Sequence, residues 1–210
     1  MLNLANGSTL SHFLTVIYIE GDEVEGKKVI VIHGYTASPD NHWFNWLKDE
    51  LEALGAIVDI PAMPESDSPD PQKWEQCLLD ANIQFDENTI LVGHSLGCIT
   101  ALRFLENHAP EGAKIGGYVL VSGFDRTLDT MPDLAAHTQF SLDYSKLIGM
   151  SDKRASIVSS NDWAVDSATS IELAKSLQTS ITVVENAGHF LDREGFTRLP
   201  ALLSLLKFWY

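Results

Sequence analysis

The stretch ILVGHSLGC, Ile90 to Cys98, begins as an apolar run and then reaches a serine. A glycine lies two positions before this serine and another lies two positions after it. Gly93, Ser95 and Gly97 match the pattern G-x-S-x-G, and the next segment, ITALRFLENH, has helical periodicity. A sharp strand-to-helix turn of this kind exposes the serine oxygen and needs small neighbours, so that strand and helix can pass closely. Ser and Gly are also ordinary turn and helix-cap residues. The pattern therefore predicts a nucleophilic serine only if partners for Ser95 exist elsewhere in the chain.

The composition predicts one domain spanning residues 1–210. Of the 210 residues, 45% are hydrophobic and 20% are charged, which suits a single domain with a sizeable core. The formal net charge of -15 disfavours binding to nucleic acids and to anionic membranes, because both repel an acidic surface. The two cysteines, Cys77 and Cys98, form neither a metal-ligand spacing nor a dense disulfide framework. We therefore expect a cytoplasmic protein.

The N-terminal extension, residues 1–26, contains an apolar run, FLTVIYI, from Phe13 to Ile19. No basic residue precedes this run, no small-residue cleavage site follows it, and it is too short to span a bilayer. We interpret it as a strand rather than a signal peptide or a membrane segment.

From Gly26 onwards, short apolar runs rich in β-branched residues alternate with amphipathic helical segments. The predicted strands are Lys28 to His33, Ala56 to Pro61, Asn88 to His94, Gly116 to Gly123, Arg154 to Ser160 and Ser180 to Asn186. The predicted helices lie near Asn41 to Leu54, Pro71 to Ile83, Ser95 to His108, Asp166 to Leu177 and Gly195 to Phe208. Continuous apolar strands alternating with helices are typical of a mostly parallel sheet with helices on both faces. The predicted fold class is α/β.

The interval from Phe124 to Lys153 interrupts this alternation with Asp, Thr, Pro and His and only short helical pieces. Long loops of this kind are often lids or binding loops. The interval is also short for a separate cap domain. We predict a lid-like loop over residues 124–153 and a minimal cap or none.

Two candidate partners for Ser95 lie where later strands stop. Asp162 follows the run that ends at Ser160, and His189 lies in NAGHF directly after the next strand. Ligands of open α/β sheets bind at the carboxyl ends of the strands, so these side chains are expected on the face that carries Ser95. A catalytic serine needs a base, and the base needs an acid to orient it. The chain order Ser95, Asp162, His189 is the order found in α/β-hydrolases.

Asp125 is the rival acid, because it follows the preceding strand, GGYVLVSG, and some α/β-hydrolases carry their acid one strand earlier. Asp162 occupies the commoner position and leaves room for one helix and one strand before His189. We therefore assign the acid to Asp162.

An oxyanion formed at Ser95 also needs backbone N–H donors. These come from the residue after the nucleophile and from the loop after an early strand, which predicts the amides of Leu96 and Tyr35. No pair of histidines has a metal-ligand spacing, so we expect no metal ion, and this chemistry requires no cofactor.

With these residues in place, the chain resembles the YdeN-like serine hydrolases, the group that contains retinoblastoma-binding protein nine. The matching stretches are IHGYTASPDNHWFNWLKDEL, the segment MPESDSPDPQKW, VGHSLG, SSNDWAV and NAGHF, which span most of the chain from Val29 onwards. The resemblance implies a compact α/β-hydrolase domain with little or no cap and the triad Ser95, Asp162 and His189. It also implies activity on small esters or on amide substrates.

The sequence departs from that group in two respects. First, its N-terminal extension precedes the matching stretches, which begin at Val29. Second, the human member binds pocket proteins through an L-x-C-x-E motif, and neither Cys77 nor Cys98 lies in such a motif. Binding to such proteins is therefore not expected. The leading hypothesis is a serine hydrolase that acts on a small-molecule ester or amide, and the alternative is a non-catalytic interaction module on the same fold.

Overall fold

The computed structural model describes residues 25–209, so the strand predicted at residues 13–19 lies outside the described residues. Six parallel strands form one sheet in the order β2-β1-β3-β4-β5-β6. The strands are β1 (Lys28–Ile32), β2 (Ile57–Asp59), β3 (Thr89–His94), β4 (Gly117–Val121), β5 (Arg154–Ser159) and β6 (Ser180–Val184). Each strand falls within a predicted apolar run.

Helices cover both faces of this sheet. They are α1 (Phe44–Glu52), α2 (Pro71–Asp80), α3 (Leu96–His108), α4 (Tyr144–Gly149), α5 (Ser167–Ser176) and α6 (Pro200–Phe208). Every residue of β3 and β4 is buried, as expected of strands packed on two sides. The α/β fold class predicted from the alternating pattern is therefore confirmed.

The core has two layers, one on each face of the sheet. In β1, Ile30 and Ile32 belong to the layer that includes Trp74 of α2, whereas Val29 and Val31 belong to the layer with Phe44 of α1. This division follows from the two-residue period of a strand, which sends successive side chains to opposite faces.

The segment of residues 124–153 packs against the first of these layers. It contains a 3₁₀ turn at Pro132–Thr138 and the short helix α4, and Leu134, Leu142 and Leu147 are buried in the core. The described residues form one sheet, and of this segment Met131 lines the cavity that also contains Ser95.

The order of the strands determines where a ligand can bind. The chain moves outwards from β1 to β2, returns to the other side of β1 as β3, and then continues outwards through β4, β5 and β6. Crossovers therefore leave β1 and β3 in opposite directions, which opens a crevice at their carboxyl ends. Ser95 directly follows β3 and lies at this crevice.

Candidate active site

Ser95 has the strained backbone that the sequence pattern predicts. Its φ is 54° and its ψ is -119°, a region that non-glycine residues rarely occupy. A Cβ at Gly97 would lie 2.0 Å from the carbonyl oxygen of Ile32, and one at Gly93 would lie 2.5 Å from the Cα of Cys98. Only glycine fits at either position, because the neighbouring atoms are backbone atoms that cannot move aside for a side chain. Strand and helix therefore approach closely enough to hold Ser95 in this turn.

His189 and Asp162 form a buried pair. The Nδ1 atom of His189 lies 2.9 Å from Oδ2 and 3.0 Å from Oδ1 of Asp162, and the two side chains are 7% and 2% exposed. An ionised carboxylate only accepts hydrogen bonds, so the proton of the neutral imidazole lies on Nδ1. The Nε2 atom of His189 is consequently left with a lone pair that can accept a proton.

Asp162 is held in its ionised form by several donors. The hydroxyl of Ser122 donates to Oδ2 at 2.6 Å, and the N–H groups of Ala164 and Val165 donate to Oδ1 at 2.9 and 3.0 Å. Burial opposes the charge, but the hydrogen bonds and charge interaction with His189, together with the other hydrogen bonds, lower the pKa of Asp162 below its ordinary value. The carboxylate is therefore charged at neutral pH.

Asp125, the rival acid, is engaged elsewhere. Its carboxylate accepts a hydrogen bond from the hydroxyl of Tyr144 and pairs with Arg126 at 3.3 Å. The structure thus places Asp162, and not Asp125, against His189.

Ser95 and His189 share one cavity. Its volume is about 230 Å³, and it is lined by Tyr35, Thr36, Ala37, Asn41, His42, Ser95, Met131, Trp163, Ala164, His189, Leu191, Asp192 and Arg193. A larger cavity of about 520 Å³ lies between α2, α3 and the turn at Pro132–Thr138, and neither Ser95 nor His189 lines it. Ser95 and His189 therefore line a cavity less than half the volume of this one.

The two predicted oxyanion donors lie beside Ser95. Leu96 is the first residue of α3, where a helix leaves its amides without partners inside the helix. Tyr35 lines the cavity in the turn after β1, and a Cβ at the preceding Gly34 would come within 3.0 Å of the Cβ of Ser95. The turn after β1 therefore packs directly against the serine.

Sequence reasoning missed three side chains at this site. Trp163 lines the cavity, Ser122 contacts Asp162, and Glu194 contacts the backbone of His189. Ser122 directly follows β4 and donates to Asp162, and its position at a strand end was the signal available for it. The indole of Trp163, 55% exposed, donates to Glu194 at 2.6 Å. Glu194 carried no signal, because its other hydrogen bonds go to backbone amides.

Two further structural observations concern the described residues, 25–209. None of their helices combines the length and apolar character needed to cross a membrane. In the same part of the chain, no three side chains of His, Cys, Asp or Glu are grouped so as to hold a metal ion.

A parallel sheet covered on both faces, with a strained serine after β3 and a histidine after β6, defines an α/β-hydrolase. A sequence model of the family described as serine hydrolase matches residues 29–208. The chain belongs to this serine hydrolase family.

The comparison with known proteins confirms the resemblance to the YdeN-like group. YdeN of Bacillus subtilis, to which a hydrolase activity is ascribed, is 42% identical over 184 residues, which cover 88% of this chain and 96% of that protein. The crystal structure of the ydeN gene product has a TM-score of 0.84 and covers 87% of this chain and 98% of its own. Serine hydrolase RBBP9 of Rattus norvegicus is 22% identical over 169 residues, or 78% of this chain and 86% of that protein.

A more distant solved structure shows the fold alone. Est1E from Butyrivibrio proteoclasticus, solved with ferulic acid bound, has a TM-score of 0.66 at 13% identity and covers 89% of this chain and 88% of its own.

Proposed function

We propose that this protein hydrolyses small carboxylic esters, and amides of similar size, through an acyl-enzyme formed on Ser95. His189 is the general base and acid, Asp162 orients it, and the amides of Leu96 and Tyr35 bind the oxyanion. The observation that carries the proposal is the buried pair of His189 and Asp162 in the wall of the cavity that also contains Ser95. This pair leaves Nε2 of His189 ready to take the serine proton.

In the first half of the reaction, the Oγ atom of Ser95 attacks the carbonyl carbon and its proton passes to Nε2 of His189. The carbonyl π bond becomes an oxyanion, which the two backbone amides stabilise. The bond to the leaving group then breaks, and the leaving alcohol or amine takes the proton from His189. Asp162 stays ionised and stabilises the imidazolium while it exists.

In the second half, water replaces the leaving group. His189 takes a proton from the water, whose oxygen attacks the acyl carbon of the ester formed on Ser95. A second oxyanion collapses, and the bond to Oγ breaks. The proton on His189 returns to Ser95, which regenerates the enzyme and releases the carboxylic acid.

The dimensions of the cavity support a short acyl group. Sites for drug-sized ligands occupy roughly 300–1,000 Å³, whereas this cavity has about 230 Å³. Trp163 lines the cavity and is 55% exposed, so we expect a longer leaving group to extend across the indole into solvent. We expect turnover to fall as the acyl chain lengthens.

Labelling with a fluorophosphonate probe tests the nucleophile. We expect the wild type to be labelled and both Ser95→Ala and His189→Ala to lose labelling, because the serine alone is a weak nucleophile. Ser176→Ala, on the exposed surface of α5, is the matched control and should label like the wild type. Turnover is then measured on p-nitrophenyl esters of increasing acyl length. A wild type that neither labels nor hydrolyses any ester of the series would contradict the proposal.

A further inference from the structure

Two side chains beside His189 take no part in the proposed chemistry: His94 and Glu194. The Nε2 atom of His94 lies 2.9 Å from the carbonyl oxygen of His189. The Oε2 atom of Glu194 lies 2.8 Å from the backbone nitrogen of the same residue. Both main-chain polar groups of His189 are therefore bound by side chains. One comes from the strand-to-helix turn that carries Ser95, called the elbow below, and the other from the 3₁₀ turn at Asp192–Glu194.

His94 can only serve as a donor in this arrangement. A carbonyl oxygen accepts, so the proton of His94 lies on Nε2, and its buried Nδ1 has no hydrogen-bond partner among residues 25–209. The ring packs edge-on against those of Trp43 and Phe44. Burial and the neighbouring histidines hold the pKa of His94 well below the ordinary value, so its ring is uncharged at neutral pH.

Glu194 gathers three donors on one carboxylate. Besides the amide of His189, Oε2 accepts from the amide of Leu191 at 3.1 Å, and Oε1 accepts from the indole of Trp163 at 2.6 Å. A Cβ on Gly188 would lie 2.5 Å from the Cδ atom of Glu194, so the absence of a side chain at residue 188 makes room for this carboxylate. The loop after β6 therefore packs closely against the carboxylate of Glu194.

We propose that His94 and Glu194 are positioning residues that fix the backbone of His189 from its two sides, and so aim its imidazole between Asp162 and Ser95. The inference rests on the proposed function for the role of His189. Since His94 adjoins Ser95 in the chain, its hydrogen bond ties the loop of the base directly to the elbow of the nucleophile. A misplacement of about 1 Å at a reacting group can cost roughly 10²-fold in rate.

The first test uses Glu194→Ala, Glu194→Gln and the matched control Glu185→Ala, which removes an exposed carboxylate from the same loop. Glu194→Ala should lower kcat on a short p-nitrophenyl ester by about 10–10²-fold with little change in KM, because two of the three lost contacts act through the loop of the base and only the indole contact reaches the cavity. Glu194→Gln keeps an acceptor oxygen for the amides and should recover most of kcat. Glu185→Ala should match the wild type.

The second test uses His94→Gln and His94→Leu. The amide nitrogen of Gln can replace the Nε2 donor of His94, whereas Leu leaves the carbonyl of His189 without its partner. We expect His94→Gln to retain more activity than His94→Leu, again with little change in KM. Thermal unfolding of each variant checks that the comparison is made on folded protein. If a His94 variant does not fold, the variants of Glu194, a more exposed residue, still test the proposal.

A spectroscopic readout separates this inference from the proposed function. The proton between Nδ1 of His189 and Asp162 should give a downfield proton resonance that broadens or shifts in Glu194→Ala and His94→Leu but not in Glu185→Ala. This test remains valid even if no ester is hydrolysed. Unchanged kcat and an unchanged resonance in Glu194→Ala would overturn the positioning role, as would a rise in KM alone or equal losses in Glu194→Ala and Glu194→Gln.

Discussion

At the scale of single residues, the charge of Asp162 depends on its contacts with neighbouring elements. Ser122 comes from the end of β4, two backbone amides come from the turn after β5, and His189 comes from the loop after β6. Each of these donors favours the ionised form, and together they outweigh the cost of burial. The charge of this carboxylate therefore depends on tertiary structure, because its donors come from three separate parts of the chain.

Replacing this acid tests its assignment. Asp162→Asn should lower kcat by about 10⁴-fold, because an amide at this position favours the wrong tautomer of the histidine. Asp125→Asn, which changes the rival acid, should leave kcat close to that of the wild type, since its partners are Tyr144 and Arg126. Steady-state kinetics on one ester measures both variants. The reverse order of effects would show that the acid had been assigned wrongly.

The residues that the sequence predicted share a common property. Ser95 directly follows β3, and Asp162 and His189 lie in the loops that follow β5 and β6. The topology of a parallel sheet brings such positions to one edge. The roles of His94 and Glu194 were not predicted. Both side chains bind the backbone of His189, which is far from His94 in the chain and close to Glu194. A hydrogen bond to a main-chain group leaves no pattern of residue types in the sequence.

At the scale of elements, the contact between β1 and α3 holds the elbow in place. Gly97 lies in the first turn of α3, and its Cα faces the carbonyl group of Ile32 at the end of β1. The helix can start this close to the strand only because residue 97 has no side chain. The same contact keeps Leu96 and the turn after β1 together around Ser95.

A methyl group at this contact should separate the two elements. Gly97→Ala places a carbon 2.0 Å from a backbone oxygen, so we expect a loss of about 3 kcal/mol or more in the free energy of unfolding. Gly149→Ala, at the end of α4, is the matched control because nothing lies within 4 Å of the new carbon. Urea unfolding compares the two variants. Equal stabilities would mean that β1 and α3 can move apart at little cost.

Element boundaries were predicted less well than the elements themselves. The helix expected from Gly195 begins at Pro200, because Gly195 has a φ of 91° and proline favours the first turn of a helix. The helix expected from Asn41 begins at Phe44, since His42 adopts a φ of 57°. Periodicity extends across such turns, whereas the backbone angles that end a helix depend on local contacts.

At the scale of the whole molecule, buried and half-buried histidines link stability to pH. The pKa values of four of them are lowered, chiefly because burial penalises the charged ring: His33, His42, His94 and His137. The unfolded chain has ordinary histidine pKa values of about 6.5. Just below that pH the unfolded chain therefore binds more protons than the folded protein.

The sign of the resulting pH dependence follows from this difference in proton binding. The free energy of unfolding should be highest above about pH 6.5 and should fall as the pH is lowered towards about 5, because protons favour the unfolded chain. Urea unfolding at a series of pH values measures the slope. His94→Gln removes one of the four groups and should reduce that slope. A stability that stays level over this range would contradict the expectation.

The reactive groups are divided unequally along the chain. Ser95 and the two amides proposed to bind the oxyanion precede the turn at residues 109–116, and Asp162 and His189 follow it. The turn itself lies at the amino ends of the strands, opposite the cavity. Gly112 in that turn has open space around it. A break at this point would give two fragments, neither of which holds a complete set of reactive groups. Ester hydrolysis by the mixed fragments would then report their reassembly, which makes the fold a candidate scaffold for a split-protein sensor.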